Sequence, residues 1–226
     1  MHPGLIVFIV FYIALLITYF ITETSGKMYL RAPNKIVMAS MFLVFGIYIL
    51  CTNPNYGINS YHTIFIAALF LAWLGDVFLL FSLNRGGDFF LCGNICFVIY
   101  QIALLINNNV HINQFWWVIL IYVIVMGGII LLFKKLPNVF KLGKMKGPMI
   151  LYLSSITLNG IFGIAVMALL PGKMLLGLGL FLFMLSDLVL TLDKFVFDKN
   201  KWVLRLNSAL YFTGMLLVVL SMVIII

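Results

Sequence analysis

The stretch Leu176-Gly-Leu-Gly-Leu-Phe-Leu-Phe-Met-Leu-Ser-Asp187-Leu-Val-Leu-Thr-Leu192 reads as an apolar helix long enough to enter and cross a bilayer, interrupted near its end by one carboxylate. An ionised side chain inside a membrane helix is costly. It normally faces a protein interior or a watery cavity, and it marks a functional site by default. Leu71-Ala-Trp-Leu-Gly-Asp76-Val-Phe-Leu-Leu80 repeats the design, with a small residue, Gly75 or Ser186, just before an aspartate in an apolar run. The other acidic residues, Glu23, Asp88, Asp193 and Asp198, read as lying at or beyond the ends of such runs.

Composition sets the class. The 226 residues are 65% hydrophobic and 9% charged, with a mean hydropathy of +1.20. Soluble domains are only roughly half apolar, so this chain is a polytopic membrane protein. Cys51, Cys92 and Cys96 are odd in number and show no disulfide or metal spacing, so they read as membrane-packing residues. The net charge of +8 does not point to nucleic acid, because its distribution follows membrane orientation.

Eight apolar runs are expected to be transmembrane helices, at about 5–21, 35–51, 61–82, 88–106, 115–133, 147–170, 174–192 and 204–226. The first has neither a basic region before it nor a small-residue cleavage site after it, and reads as a retained helix. Asn53-Pro-Asn-Tyr-Gly-Ile-Asn59 and Asn107-Asn-Asn-Val-His-Ile-Asn113 read as uncharged turns, and Asp88 as the N-cap of the fourth helix. Phe115-Trp-Trp117 resembles an interfacial aromatic belt. Thirteen of the 14 Lys and Arg residues lie in odd-numbered linkers, and only Lys173 lies in an even one. The odd linkers are therefore expected to be cytoplasmic, with both termini on the outer side.

Lys35 precedes Asp76, and Lys146 precedes Asp187, by the same 41 positions. The offset of 111 that relates these pairs also carries Tyr100 onto Tyr211. This predicts a parallel duplication of four helices, spanning about 1–110 and 111–226, inside one transmembrane domain. Counting back from Arg85 and Lys194 puts both aspartates about 10 Å inside the cytoplasmic border. That is the depth of a phospholipid's glycerol linkage.

Two carboxylates sharing a low-dielectric pocket should not ionise together, so one becomes an acid and the other a base. Such a division suits reaction through an oxocarbenium-like cation, as in glycoside hydrolysis, and in a lipid the matching bond is an acid-labile ether. The sequence has no Gly-x-Ser-x-Gly elbow and no His-Glu-x-x-His zinc motif. His2, His62 and His111 fall at or near the outer side and are expected at the surface, so no metal or cofactor is expected. The plain alternative for the aspartates is interhelical adhesion, with donors available from Tyr152, Ser154, Asn159, Asn94, Tyr100, Gln101 and Tyr211. Lys35 and Lys146 have three options: to hold a phosphate, to pair with an aspartate, or to snorkel to the surface, the commonest behaviour near helix ends.

Leu74-Gly-Asp76-Val-Phe-Leu-Leu80 in the third helix and Phe183-Met-Leu-Ser-Asp187-Leu-Val-Leu190 in the seventh, followed by Lys194-Phe195, resemble the YhhN-like lysoplasmalogenase family, over Lys35 through Tyr211. The chain departs from that pattern at Gln101 and Met215. The resemblance implies hydrolysis of the vinyl ether bond of lysoplasmalogens to a fatty aldehyde and glycerophosphoethanolamine or glycerophosphocholine. Asp76 and Asp187 would then be catalytic. One protonates the vinyl β-carbon, and the other stabilises the cation or activates water. Lys35 or Lys146 would hold the phosphate, with Tyr100, Tyr152, Asn159, Ser186 and Tyr211 lining the substrate. The expected partners are a lysophospholipid and membrane lipids. The location is the cytoplasmic membrane of a bacterium or the endoplasmic reticulum of a eukaryote. A transporter or proton-coupled carrier using the buried aspartates is the rival expectation.

Overall fold

Within hydrocarbon every backbone amide and carbonyl must find its partner inside the segment, which leaves an apolar run of this length the helix as its solution. The computed structural model describes residues 3–23, 28–52, 61–81, 86–136, 139–140, 146–196 and 200–223. It forms α1 (Pro3–Glu23), α2 (Met28–Thr52), α3 (His62–Leu80), α4 (Gly86–Asn107), α5 (Trp116–Lys135), α6 (Lys146–Leu169), α7 (Met174–Phe195) and α8 (Lys201–Leu220). All eight are long and apolar enough to cross a membrane, and no strand occurs among the described residues. Outward faces such as Val7, Ile21, Ile119, Val123 and Ile124 are exposed on α1 and α5, as lipid-facing side chains are.

Several boundaries differ from the sequence expectation. α2 begins at Met28, before Lys35, and runs through Pro33, its sixth residue, where one backbone hydrogen bond is given up. α4 begins at Gly86, so Asp88 is an exposed first-turn residue favoured by the helix dipole and not an N-cap. α7 continues past Asp193 to Phe195, and Asp193 is buried, not set in a solvated linker. Glu23 is likewise buried, accepting a hydrogen bond from the Tyr19 hydroxyl at 3.0 Å. His62 is buried, its ring stacked on Tyr61 at 4.2 Å, whereas His111 is exposed as expected. His2, the turn at 53–59, and Lys27, Arg85, Lys141, Lys144 and Lys199 lie outside the described residues. In the turn after α4, Asn109 takes a left-handed conformation (φ 59°), which asparagine tolerates better than most residues.

The chain divides into two compact units, residues 1–93 and 94–226, with the cut inside α4. In the first unit α2 packs against α1 and α3 around Met38, Phe42, Phe65 and Leu69, all fully buried. Phe8 stacks on Phe45 with ring centroids 3.8 Å apart. Gly75 matters here: a Cβ on it would stand 2.6 Å from the Phe90 ring, so the glycine before Asp76 lets the start of α4 close on α3. In the second unit α6, α7 and α8 pack in sequence, and small residues bring their backbones together. Gly179 of α7 lies against Gly214 of α8, and Gly163 of α6 against Gly177 of α7.

Candidate functional site

In the first unit, Asp76 stands on the last turns of α3 with its carboxylate 2.9 Å from the Lys35 ammonium of α2. The side chains are 4% and 19% exposed, so this ion pair is largely sheltered. Because α2 starts seven residues before Lys35, that lysine lies inside the helix and reaches α3. Of the three options read from sequence, pairing with an aspartate is the one observed. Tyr12 of α1, fully buried, lies within electrostatic range of Asp76.

The second unit treats its aspartate differently. Asp187 is 4% exposed on α7, and the Tyr152 hydroxyl of α6 donates to its Oδ2 at 2.6 Å. Lys146, the offset counterpart of Lys35, is the exposed first residue of α6. The phenol that meets Asp187 thus stands six residues further along α6 than the lysine that the offset pairs with Lys35. Ser186 is fully buried, but its hydroxyl donates back to the Phe183 carbonyl within α7. Thr191 donates likewise to the Asp187 carbonyl at 2.8 Å.

Two turns further along α6 lies a chain of amides. Gln101 Nε2 donates to Asn159 Oδ1 at 2.7 Å, and Asn159 Nδ2 donates to Asn94 Oδ1 at 3.0 Å. All three residues are at most 1% exposed. Asn159 was named from sequence as a lining residue, while Asn94 and Gln101 entered only as available donors. The signal for them was their seven-residue separation, which places both on one face of α4. Tyr211 of α8 is buried edge-on against Phe183 and Phe212, with ring centroids at 5.4 and 5.0 Å. Tyr100 is buried on α4. Among the described residues, no three His, Cys, Asp or Glu side chains gather as metal ligands would.

Residues 30–222 match the family model described as the YhhN family. The chain belongs to the YhhN family. No curated protein and no solved structure matches it. The matched segment of this YhhN protein holds both aspartates, Lys35, Tyr152 and the amide chain, while α1 with Tyr12 precedes it. Two chemically distinct carboxylates are thus embedded in one YhhN chain, one beside an ammonium and the other beside a neutral phenol. An ion pair supplies a fixed negative charge. A carboxyl group hydrogen-bonded to a phenol in an apolar helix suits the giving and taking of a proton.

Proposed function

We propose that this YhhN protein is a membrane hydrolase that cleaves the vinyl ether bond of a lysoplasmalogen by carboxylate acid–base chemistry. The observation that carries the reading is the Tyr152 to Asp187 hydrogen bond within otherwise apolar helices. We assign the acid to Asp187. Its proton goes to the β-carbon of the vinyl ether, the double-bond electrons form the new C–H bond, and positive charge develops on the carbon bearing oxygen. Water adds there, and the hemiacetal collapses to an aldehyde and a glycerol hydroxyl, consuming one water. Asp76, beside Lys35, is assigned to the same reaction as the carboxylate that steadies positive charge or receives the water's proton. Exposed Lys146 suits the lipid phosphate, with Tyr100, Ser186 and Tyr211 as lining. The basic linkers face the cytoplasm on this reading, and the substrate is drawn from that leaflet. The protein lies in the cytoplasmic membrane of a bacterium or the endoplasmic reticulum of a eukaryote.

The test is aldehyde release from lysoplasmalogen by purified, well-folded protein. Turnover is expected, and its absence across ethanolamine and choline headgroups overturns the assignment. A sheltered ion pair such as Lys35–Asp76 also fits a proton-coupled carrier. In that case proteoliposomes would show proton-dependent lipid movement without aldehyde.

A further inference from the structure

The amide chain of the second unit is not closed on itself. Asn94 Nδ2 and Gln101 Oε1 are both buried and have no hydrogen-bond partner among the described residues. Turning all three amides over reverses the direction of donation and still leaves one donor and one acceptor open at the ends. Buried amide groups are normally paired, because an unmade hydrogen bond costs the full desolvation of the group. Three primary amides serving adhesion alone would be expected to satisfy one another.

The position of the open end on Asn94 gives the chain its meaning. Phe97 of α4 meets Phe183 of α7 edge-on, with ring centroids 6.4 Å apart. As an even- and an odd-numbered span, α4 and α7 run through the membrane in opposite directions. Three residues back along α4 and three or four forward along α7 are each about 5 Å of rise, which brings Asn94 level with Ser186 and Asp187. Gln101, two turns away, lies deeper. The amides therefore form a polarised line that starts deep in the bundle, and chained hydrogen bonds strengthen the donor at its far end. That donor, Asn94 Nδ2, ends at the level of the carboxyl group given the acid role.

We propose that Asn94, held by Asn159 and Gln101, is a binding site for a substrate hydroxyl. On the hydrolase reading, on which this rests, that group is the free sn-2 hydroxyl of a lysophospholipid. This hydroxyl sits on the carbon next to the one carrying the ether oxygen, so a donor level with Asp187 is placed to meet it when the vinyl ether is presented for protonation. Its oxygen accepts from Asn94 Nδ2. A lipid without the hydroxyl leaves the amide unsatisfied, which is the arrangement that gives strong discrimination by a single polar group.

The probe is a saturated 1-O-alkyl-lysophosphatidylethanolamine, which has no vinyl ether to cleave, compared with its 2-deoxy counterpart. Binding of each to the full-length protein in nanodiscs is measured. The wild type is expected to hold the hydroxyl compound about tenfold or more tightly, the cost of one buried donor left unpaired. Asn94→Leu should bind both equally. Gln101→Met, which removes the deep end of the chain and leaves Asn94 in place, should narrow the preference, and it serves if Asn94→Leu does not fold. Equal binding of the two lipids by the wild type, or no binding of either, overturns the proposal. So does a preference that survives Asn94→Leu. A site for water alone would give equal wild-type binding, and so fails the same test. Because neither probe is cleaved, the outcome is separable from the hydrolase reading. A hydroxyl preference without aldehyde release removes the chemistry and keeps the site, and aldehyde release without the preference does the reverse.

Discussion

Removing the Lys35 ammonium leaves the Asp76 carboxylate, 4% exposed, without the charge that stands 2.9 Å from it. Lys35→Met should therefore lower stability by about 3 kcal/mol, the cost of breaking a buried pair from one side. Adding Asp76→Asn should restore most of that loss, since the double change removes both charges. Thermal melting in detergent reads both, and equal melting of the single and double variants would show that the pair does not couple. Asp187 invites a different comparison. Asn keeps its size and its hydrogen bond from Tyr152 but removes the proton, so Asp187→Asn should fold normally and lose about 10² or more in turnover. Under pure adhesion Asn would suffice, and Ala would melt lower by about 1 kcal/mol. Tyr152→Phe should cost turnover about fivefold to tenfold with little change in melting, the worth of one hydrogen bond. Both aspartates were legible in the sequence because an acidic residue deep in an apolar run is rare and expensive. Their partners were not. In the sequence Lys35 and Tyr152 were each one of several possible partners, and only the packing of α2 on α3 and α6 on α7 selects them.

Helix contacts are set by where glycines fall. A methyl group on Gly179 would stand 2.6 Å from the Gly214 carbonyl oxygen and 2.8 Å from the Val218 amide nitrogen, backbone atoms that move only if α7 and α8 part. Gly179→Ala should accordingly destabilise by about 1–3 kcal/mol. Gly128 of α5 has nothing within 4 Å, so Gly128→Ala should be neutral or gain up to about 1 kcal/mol from helix propensity. Similar melting of the two variants would mean that the α7–α8 approach is looser than the glycines imply. All eight helices were readable from run length, since hydrocarbon thickness fixes how long an apolar run must be. The ends were harder. Polar residues such as Glu23 and Asp193 looked like linker, yet Tyr19 one turn earlier shelters Glu23, and α7 runs on past Asp193. The 111-residue offset carries the start of α3 to within one residue of the start of α7, but it misses the start of α6 from that of α2 by seven. Lys35 lies well inside α2 and Lys146 opens α6, so the duplication we propose has not kept the two lysines in one role.

For the molecule as a whole, orientation decides which leaflet supplies the substrate, and it rests on charge. Lysine and arginine next to membrane spans are retained on the cytoplasmic side, and 13 of the 14 here fall in the linkers after α1, α3, α5 and α7 or within about two helical turns of them. The end of α5 carries exposed Lys134 and Lys135, whereas the linker between α4 and α5 exposes Asn113 and no charge. These two places give opposite predictions for one reagent. With Cys51, Cys92 and Cys96 replaced by Ser, Lys135→Cys should react with a membrane-impermeant maleimide only after the cells are permeabilised. Asn113→Cys should react on intact cells. Each replaces one exposed side chain away from the aspartates, so labelling reports position and not damage. The reverse pattern would turn the orientation over and place the end of α7 that carries Asp187 toward the outer leaflet. A lysophospholipid arriving from the cytoplasmic leaflet would then no longer meet Asp187 by its headgroup end, and the phosphate assignment of Lys146 would fall with the orientation.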